Sequence, residues 1–290
     1  MRQSTTDTVR RQLEAAALGP LLLGKWDRLC ALLERYGSVV VAYSGGVDSA
    51  LLAYAAHTVL GDRMLAVTIE SPLESEEARQ NALAVAQEAG FPHRVLPMAM
   101  LENPKIRDNS PERCYHCKKA ILAALQTIAG EEGFAVIVEG QNVDDARVYR
   151  PGRRAVIDCG AKSPLVESDL GKLEIRALAQ ALLLTVWNRP SAPCLATRFP
   201  YWTELSAEAL MRVAKAESYL HALGLATVRV RVDGGAARIE VPVTQMELIL
   251  AHRKAVSYTH LRAHETVLDL VCRLLLEKTK EINFKKEEEK

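Results

Sequence analysis

Neither sign of charge predominates in this sequence: 37 lysines and arginines stand against 36 aspartates and glutamates, for a net charge of +1. A broadly basic surface that would neutralise nucleic-acid phosphates is therefore not indicated, so nucleic acid is not an expected partner and only local basic patches remain. No apolar run reaches the length of a membrane span, and no membrane association is expected. Met1 to Asp7 are polar and lack the apolar core behind a basic start that marks a secretory signal, so a cytoplasmic location is expected. Cysteines are few, six in 290 residues. Two of them, Cys114 and Cys117, form a close pair, which fits metal or sulfur chemistry better than a secreted disulfide framework. What is present is the balance of a soluble globular chain, 49% hydrophobic and 25% charged. Its length accommodates one full α/β domain and a smaller unit.

The chain is organised around Ser38 to Ser49. The run Val39-Val40-Val41 reads as a buried strand, Gly45-Gly46 as a tight loop, and Ala50 to Leu60 as a helix. In a strand–loop–helix of this kind the backbone N–H groups turned inward at Gly45 and Gly46, the hydroxyls of Ser44 and Ser49, and the positive end of the helix converge on one point. Such a nest holds phosphate oxygens. The loop lacks the lysine of the G-x-x-x-x-G-K-[ST] motif, which disfavours a γ-phosphate-transferring NTPase. A carboxylate repels phosphate, so Asp48 is expected to hold a magnesium ion that bridges to it. Ser-Gly-Gly-Val-Asp-Ser after a strand resembles the pyrophosphate loop of the ATP pyrophosphatases, enzymes that cleave ATP to AMP and pyrophosphate while adenylating a substrate.

Along the chain, helices are expected over Leu21–Tyr36, Glu76–Gly90, Leu173–Ala179 and Ser206–Leu223, and strands over Met64–Ile69, His93–Pro97 and Phe134–Gly140. Ligands of open α/β sheets lie at the carboxyl ends of the strands, so Ile69 to Ser71 should border adenine and ribose. His93 reads as a surface residue at a strand start. Ile106 to Lys119 reads as a loop leading into a helix; in it, Cys114 and Cys117 could grip a metal or cluster, act as a redox dithiol, or be unrelated thiols. After the strand ending at Glu139-Gly140, Asp144 and Asp145 suit magnesium or ribose, or a solvated loop. Arg150, Arg153 and Arg154 form a basic cluster fit for phosphate, or a charged surface turn. Trp187 to Tyr201 is Pro-rich and marks a domain boundary; Cys194 in it, four residues before Arg198, is expected to be accessible with its thiolate favoured. Thr227 to Val241 reads as a hairpin around Asp233-Gly234-Gly235, with Arg229 and Arg231 on one face.

From Val256 the sequence Val-Ser-Tyr-Thr-His-Leu-Arg-Ala-His-Glu-Thr is similar to the in-frame translation of a transposon-type sequencing adapter. Residues 256–290 are therefore expected to be an assembly artefact, and His260, His264 and Cys272 to have no function.

Taken together, the loop, the Cys114/Cys117 pair, Cys194-Leu195-Ala196-Thr197-Arg198, Ser163-Pro164-Leu165 and Glu174-Ile175-Arg176 resemble the LarE-type sulfur transferases of nickel-pincer-nucleotide biosynthesis. The likeness runs from about Val39 to Val241. It implies a Rossmann-like α/β PP-loop domain over 1–190 with a helical N-terminal segment 1–37, a smaller α+β sulfur-transfer and substrate domain over 191–255, and a homo-oligomer, a hexamer. The implied activity is adenylation of a carboxylate of pyridinium-3,5-biscarboxylic acid mononucleotide with ATP and Mg2+, then its conversion to a thiocarboxylate, alongside the other nickel-pincer biosynthesis enzymes. One branch of the family sacrifices the sulfur of a cysteine at the position of Cys194; another holds a [4Fe–4S] cluster with three cysteines, and having Cys114, Cys117 and Cys194 this chain resembles the cluster branch. By resemblance, Ser44, Gly45, Gly46, Val47, Asp48, Ser49, Ile69, Ser71, Gly140 and Asp144 take the nucleotide, and Asp48, Cys194 and Arg198 serve catalysis. Lys118, Arg150, Arg198, Arg229 and Arg231 bind the substrate. The chain departs from the family at Val148, where an Asp is expected, and at Leu183 and Trp202, where glycines are usual. A tRNA-thiolating ATP pyrophosphatase would need a basic surface or RNA-binding module, an NAD or GMP synthetase has no use for three cysteines, and a universal-stress-type nucleotide sensor would not release pyrophosphate.

Overall fold

The computed structural model describes residues 2–146, 151–234 and 236–252. Arg150, expected to bind substrate, and the tail 256–290 lie outside the described residues. The described chain divides into two compact units, one ending at Ala192 and the other beginning at Pro193.

The first unit contains α1 (Arg2–Ala15), α2 (Pro20–Tyr36), β1 (Val39–Ala42), α3 (Val47–Leu60), β2 (Met64–Glu70), α4 (Glu76–Ala89) and β3 (His93–Pro97). It continues with α5 (Pro104–Arg107), α6 (Arg113–Glu132), β4 (Val136–Glu139), α7 (Val143–Ala146), α8 (Pro151–Asp158), α9 (Pro164–Glu167) and α10 (Lys172–Ala181). The four strands are parallel in the order β3-β2-β1-β4. The order reverses between β1 and β4, and a ligand crevice opens at such a switch point, at the strands' carboxyl ends. The loop after β1 and Gly140 after β4 both lie there.

Both faces of the sheet are covered, which is why its strands read as continuous apolar runs. Val39 and Val41 pack with α2, α3 and α10 through Leu29, Leu51 and Ile175. Val40, pointing the other way, packs with Leu122, Leu125 and Ile128 of α6. Helix α3 is apolar on every side because α1, α2 and α10 enclose it; Ala50, Leu51, Leu52 and Ala53 are all fully buried. Pro20 starts α2 at its first turn, Gly37 ends it at φ +76, and Cys30 on its inner face has its thiol pushed up to about 12 by burial.

Two local expectations are corrected. Cys114 and Cys117 lie within helix α6, not in a loop ahead of it; helical hydrogen bonding already starts at Glu112, whose carbonyl accepts from His116 N at 3.2 Å. His93 is half-buried: its Nε2 bonds Thr68 Oγ1 at 2.8 Å, and its ring meets Tyr43 edge-on at 5.4 Å. Burial holds its pKa below the ordinary histidine value.

The second unit contains α11 (Ala207–Ala222), the antiparallel strands β5 (Arg229–Asp233) and β6 (Ala236–Glu240), and α12 (Met246–Ala251). Ser206 caps α11 by accepting from Ala209 N at 3.1 Å. No helix of the described residues is long and apolar enough to cross a membrane.

Candidate active site

The phosphate loop is built by close backbone approach. Gly45 has φ +73, and a Cβ there would lie 2.7 Å from Ala82 Cβ. A Cβ on Gly140 would lie 2.9 Å from Ser49 N and 3.1 Å from Ser49 Cα, so β4 ends directly against the first turn of α3. Ser49 Oγ accepts from Ser44 N at 3.2 Å and donates to Gly46 O at 3.1 Å. Gly46 at the helix N-cap provides no side-chain acceptor. The first N–H groups of α3 thus keep their capacity to bind an anion, the role expected of the loop residues.

Asp48 stands at the centre of a polar network. Its Oδ1 accepts from Asn142 Nδ2 at 3.0 Å, and its Oδ2 is ion-paired with Lys172 Nζ. Asn142, 2% exposed, accepts through Oδ1 from the backbone N–H groups of Asp144 and Asp145 at 2.9 and 3.1 Å. Asp144 in turn accepts from Lys172 N at 2.7 Å. Lys172 and Asn142 were not singled out as site residues by sequence reasoning. The available signal for Lys172 was a cation at the first position of a helix, the end the dipole makes unfavourable for it.

Beside this network a cleft of about 560 Å³ opens at the ends of β2 and β3, lined by Ile69, Ser71, Glu74, Arg79, Pro97 and Met98. Ile69 and Ser71 therefore border a cavity. On its other side the switch point is closed by Lys118, whose Nζ pairs with Glu139 Oε2 at 2.9 Å. Glu139 is 2% exposed and also accepts from Ser163 Oγ at 2.5 Å. Cys114 and Cys117, three residues apart on α6, share a helix face with one another; neither is in a disulfide, and the first is exposed and the second half-buried. Of the basic cluster, Arg154 is committed to Glu112 at 2.5 Å and to the Tyr115 ring at 4.0 Å.

In the second unit Cys194 precedes a short 3-10 turn, Leu195–Arg198. Its carbonyl accepts from Thr197 N at 3.0 Å and Thr197 Oγ1 at 2.8 Å. Arg198, 5% exposed, is committed to protein partners. Its Nε and Nη2 each meet the Glu217 carboxylate at 2.8 Å, and its Nη1 donates to Pro193 O at 2.9 Å and Thr197 Oγ1 at 3.0 Å. Glu217 also accepts from Val230 N at 2.8 Å, tying the cysteine loop to the strand that carries Arg229 and Arg231. Arg231 donates to Thr197 O at 2.6 Å and to Glu240 at 2.9 Å. Burial opposes the charged form of Glu240, but the hydrogen bonds and charges of Arg231 and Arg238 outweigh it and hold its pKa below the usual carboxylate value. Arg229 is half-buried, and its side chain makes no hydrogen bond or ion pair among the described residues. Within either unit, the described His, Cys, Asp and Glu side chains form no group of three able to hold a metal ion.

The family model for NAD synthase matches residues 31–110, the stretch that contains the phosphate loop and three of the four strands of its sheet. A pyridinium-3,5-bisthiocarboxylic acid mononucleotide synthase from Lactiplantibacillus plantarum is 40% identical over 222 residues, 76% of this chain and 80% of that protein. An uncharacterized protein from a Synechocystis strain is 40% identical over 227 residues, 78% of this chain and 85% of its own length. Another, from Methanocaldococcus jannaschii, is 32% identical over 203 residues, 70% of this chain and 77% of its own.

Proposed function

Because the chain belongs to the LarE family of ATP-dependent, PP-loop sulfur-inserting enzymes, we propose that it adenylates a carboxylate of pyridinium-3,5-biscarboxylic acid mononucleotide and replaces an oxygen of that carboxylate by sulfur. The observation that carries this is the uncapped start of α3 set against Gly140, with Asp48 and Lys172 at its mouth. A nucleotide triphosphate fits there with its phosphates on the helix N-terminus and its adenosine in the cleft by Ile69 and Ser71. The substrate carboxylate attacks the α-phosphorus, the bond to the β-phosphate breaks, and pyrophosphate leaves. Sulfur then attacks the activated carboxyl carbon and AMP leaves.

Asp48 and Asp144 would supply oxygen ligands of the kind Mg2+ prefers. With Mg2+ and ATP present, Asp48 would hold the cation, which would release Lys172 from its pair with Asp48 to the departing pyrophosphate. Cys114, Cys117 and Cys194 are the residues that would hold an iron–sulfur cluster, and three thiolate ligands would leave one iron for a transferable sulfide. In this role Arg198 positions the Cys194 loop through Glu217, and Arg229, Arg231 and Lys118 are the cations offered to substrate phosphate and carboxylate.

Two assays test the proposal. Pyrophosphate release from ATP should require the biscarboxylate mononucleotide; release without it, or none with it, counts against the reaction. Iron and acid-labile sulfide are measured after anaerobic reconstitution of residues 1–255 and of its Cys194→Ser variant. About four irons per chain, lost in the variant, support cluster-borne sulfur. No iron in folded protein supports sacrifice of the Cys194 sulfur instead.

A further inference from the structure

Arg113 is a buried cation that the described residues do not balance with a carboxylate. It is 4% exposed and opens α6, the end of a helix at which the backbone dipole opposes a positive charge. Burying a guanidinium is costly unless an anion answers it. Its Nη1 donates to Oδ1 of Asn109, a neutral amide. Its Nη2 donates to Sγ of Cys114 at 3.5 Å. The adjacent acid, Glu112, is turned away to Arg154, and Arg113 has no ion pair among the described residues.

The arrangement is nonetheless held in place. Asn109 is fully buried and sits at φ +51, a left-handed conformation that asparagine adopts more readily than most residues. Its side-chain oxygen fixes one arm of the guanidinium and leaves the other on the sulfur. Neither helix stability nor core packing explains a charge in this position. The Cys114 sulfur that Nη2 reaches does, because a sulfur bound to a metal or cluster carries the negative charge that answers a guanidinium.

We propose that Arg113 is a positioning residue for the Cys114 sulfur, holding it by an N–H···S hydrogen bond and supplying its counter-charge. In the iron-bound protein, a role that rests on the cluster reading above, the same contact withdraws electron density from one cluster ligand. Hydrogen bonds and charge at the sulfurs are among the determinants of cluster reduction potential.

The test compares wild type with Arg113→Met and Arg113→Lys. In metal-free protein at one fixed pH, iodoacetamide labelling of Cys114 is followed by mass spectrometry, with Cys159 as internal reference. Loss of the hydrogen bond that fixes the sulfur should change the Cys114:Cys159 labelling ratio about tenfold in Arg113→Met, and about threefold in Arg113→Lys, which keeps the charge but loses the fork. In reconstituted protein the cluster midpoint potential should move to more negative values in Arg113→Met. An unchanged Cys114:Cys159 rate ratio in Arg113→Lys, or in folded Arg113→Met, overturns the proposal. Failure of wild type to take up iron overturns the cluster reading alone, since the labelling ratio judges Arg113 independently.

Discussion

Replacing Gly140 by alanine tests how the phosphate loop is built. The new Cβ would stand 2.9 Å from Ser49 N, 3.1 Å from Ser49 Cα and 3.3 Å from the Asp48 carbonyl carbon. These are backbone atoms of the first turn of α3, so no side chain can rotate away. To reach ordinary van der Waals separation, the end of β4 and the start of α3 must part by about 0.5 Å. Overpacking of this kind costs about 1–3 kcal/mol. For a protein of this size that lowers Tm by about 2–4 °C per kcal/mol. The same displacement moves the Ser49 N–H off a bound phosphate, and a hydrogen bond to a charged group is worth about 1.5–3 kcal/mol, so the Kd for ATP should rise about tenfold to a hundredfold. Scanning fluorimetry and calorimetric titration of ATP read the two effects. Gly130→Ala is the control: a Cβ there meets nothing within 4 Å, and within α6 the change should stabilise by about 0.5–1 kcal/mol. If Gly140→Ala leaves both Tm and ATP affinity at wild-type values, β4 does not brace the loop.

Lys172→Met should weaken pyrophosphate binding about tenfold or more while leaving AMP affinity within twofold, since only the former needs the second cation; equal losses for both ligands in equilibrium titrations would remove Lys172 from that role. Leu183→Gly and Trp202→Gly should each raise stability by about 1 kcal/mol, because φ is +60 and +68 at these positions; denaturant melts showing no gain would mean the turns are not strained. Glu217→Gln strands the Arg198 guanidinium in a buried site and should cost about 3–5 kcal/mol; a melting curve superimposable on wild type would show the pair to be dispensable. His93 is held neutral by burial. Its folded pKa lies below its unfolded one, so its contribution is intact above about pH 6.5 and is lost as pH falls through the folded value. His93→Gln should flatten that acid limb, and an unchanged stability-versus-pH curve would exclude His93 as its source.

The sheet and the phosphate loop were legible because their signals are local: β-branched runs such as Val39 to Val41 bounded by glycines, followed by a helix. The departures at Leu183 and Trp202 were visible as missing glycines, and the structure supplies the reason. Leu183 is the left-handed residue of a Schellman ending to α10, with Leu184 N bonded to Ala179 O at 2.9 Å and Leu183 N to Gln180 O at 3.0 Å. Trp202 is the third residue of a turn closed by Thr203 N on Pro200 O at 3.3 Å, a position that favours glycine when φ is positive. The long-range partnerships were not legible. Lys172 meets Asp48 across 124 residues, and no composition or periodicity links them. Arg198 reads as a loop arginine near Cys194, and its pairing with Glu217 of α11 is carried by no local signal. Arg113 reads as one more charge beside a cysteine pair, and its meaning appears only when it is found buried without a carboxylate. His93 reads as a surface residue at a strand start, whereas Thr68 and Tyr43 cover it.

The most direct single measurement is mass spectrometry of pyridinium-3,5-biscarboxylic acid mononucleotide after incubation with the reconstituted protein, ATP and Mg2+, with AMP quantified in the same sample. Sulfur insertion predicts a product in which sulfur has replaced one carboxyl oxygen, with one AMP formed per sulfur and neither product without ATP. AMP formation with the mononucleotide's mass unchanged, while the protein remains folded and loaded with iron and sulfide, would contradict it.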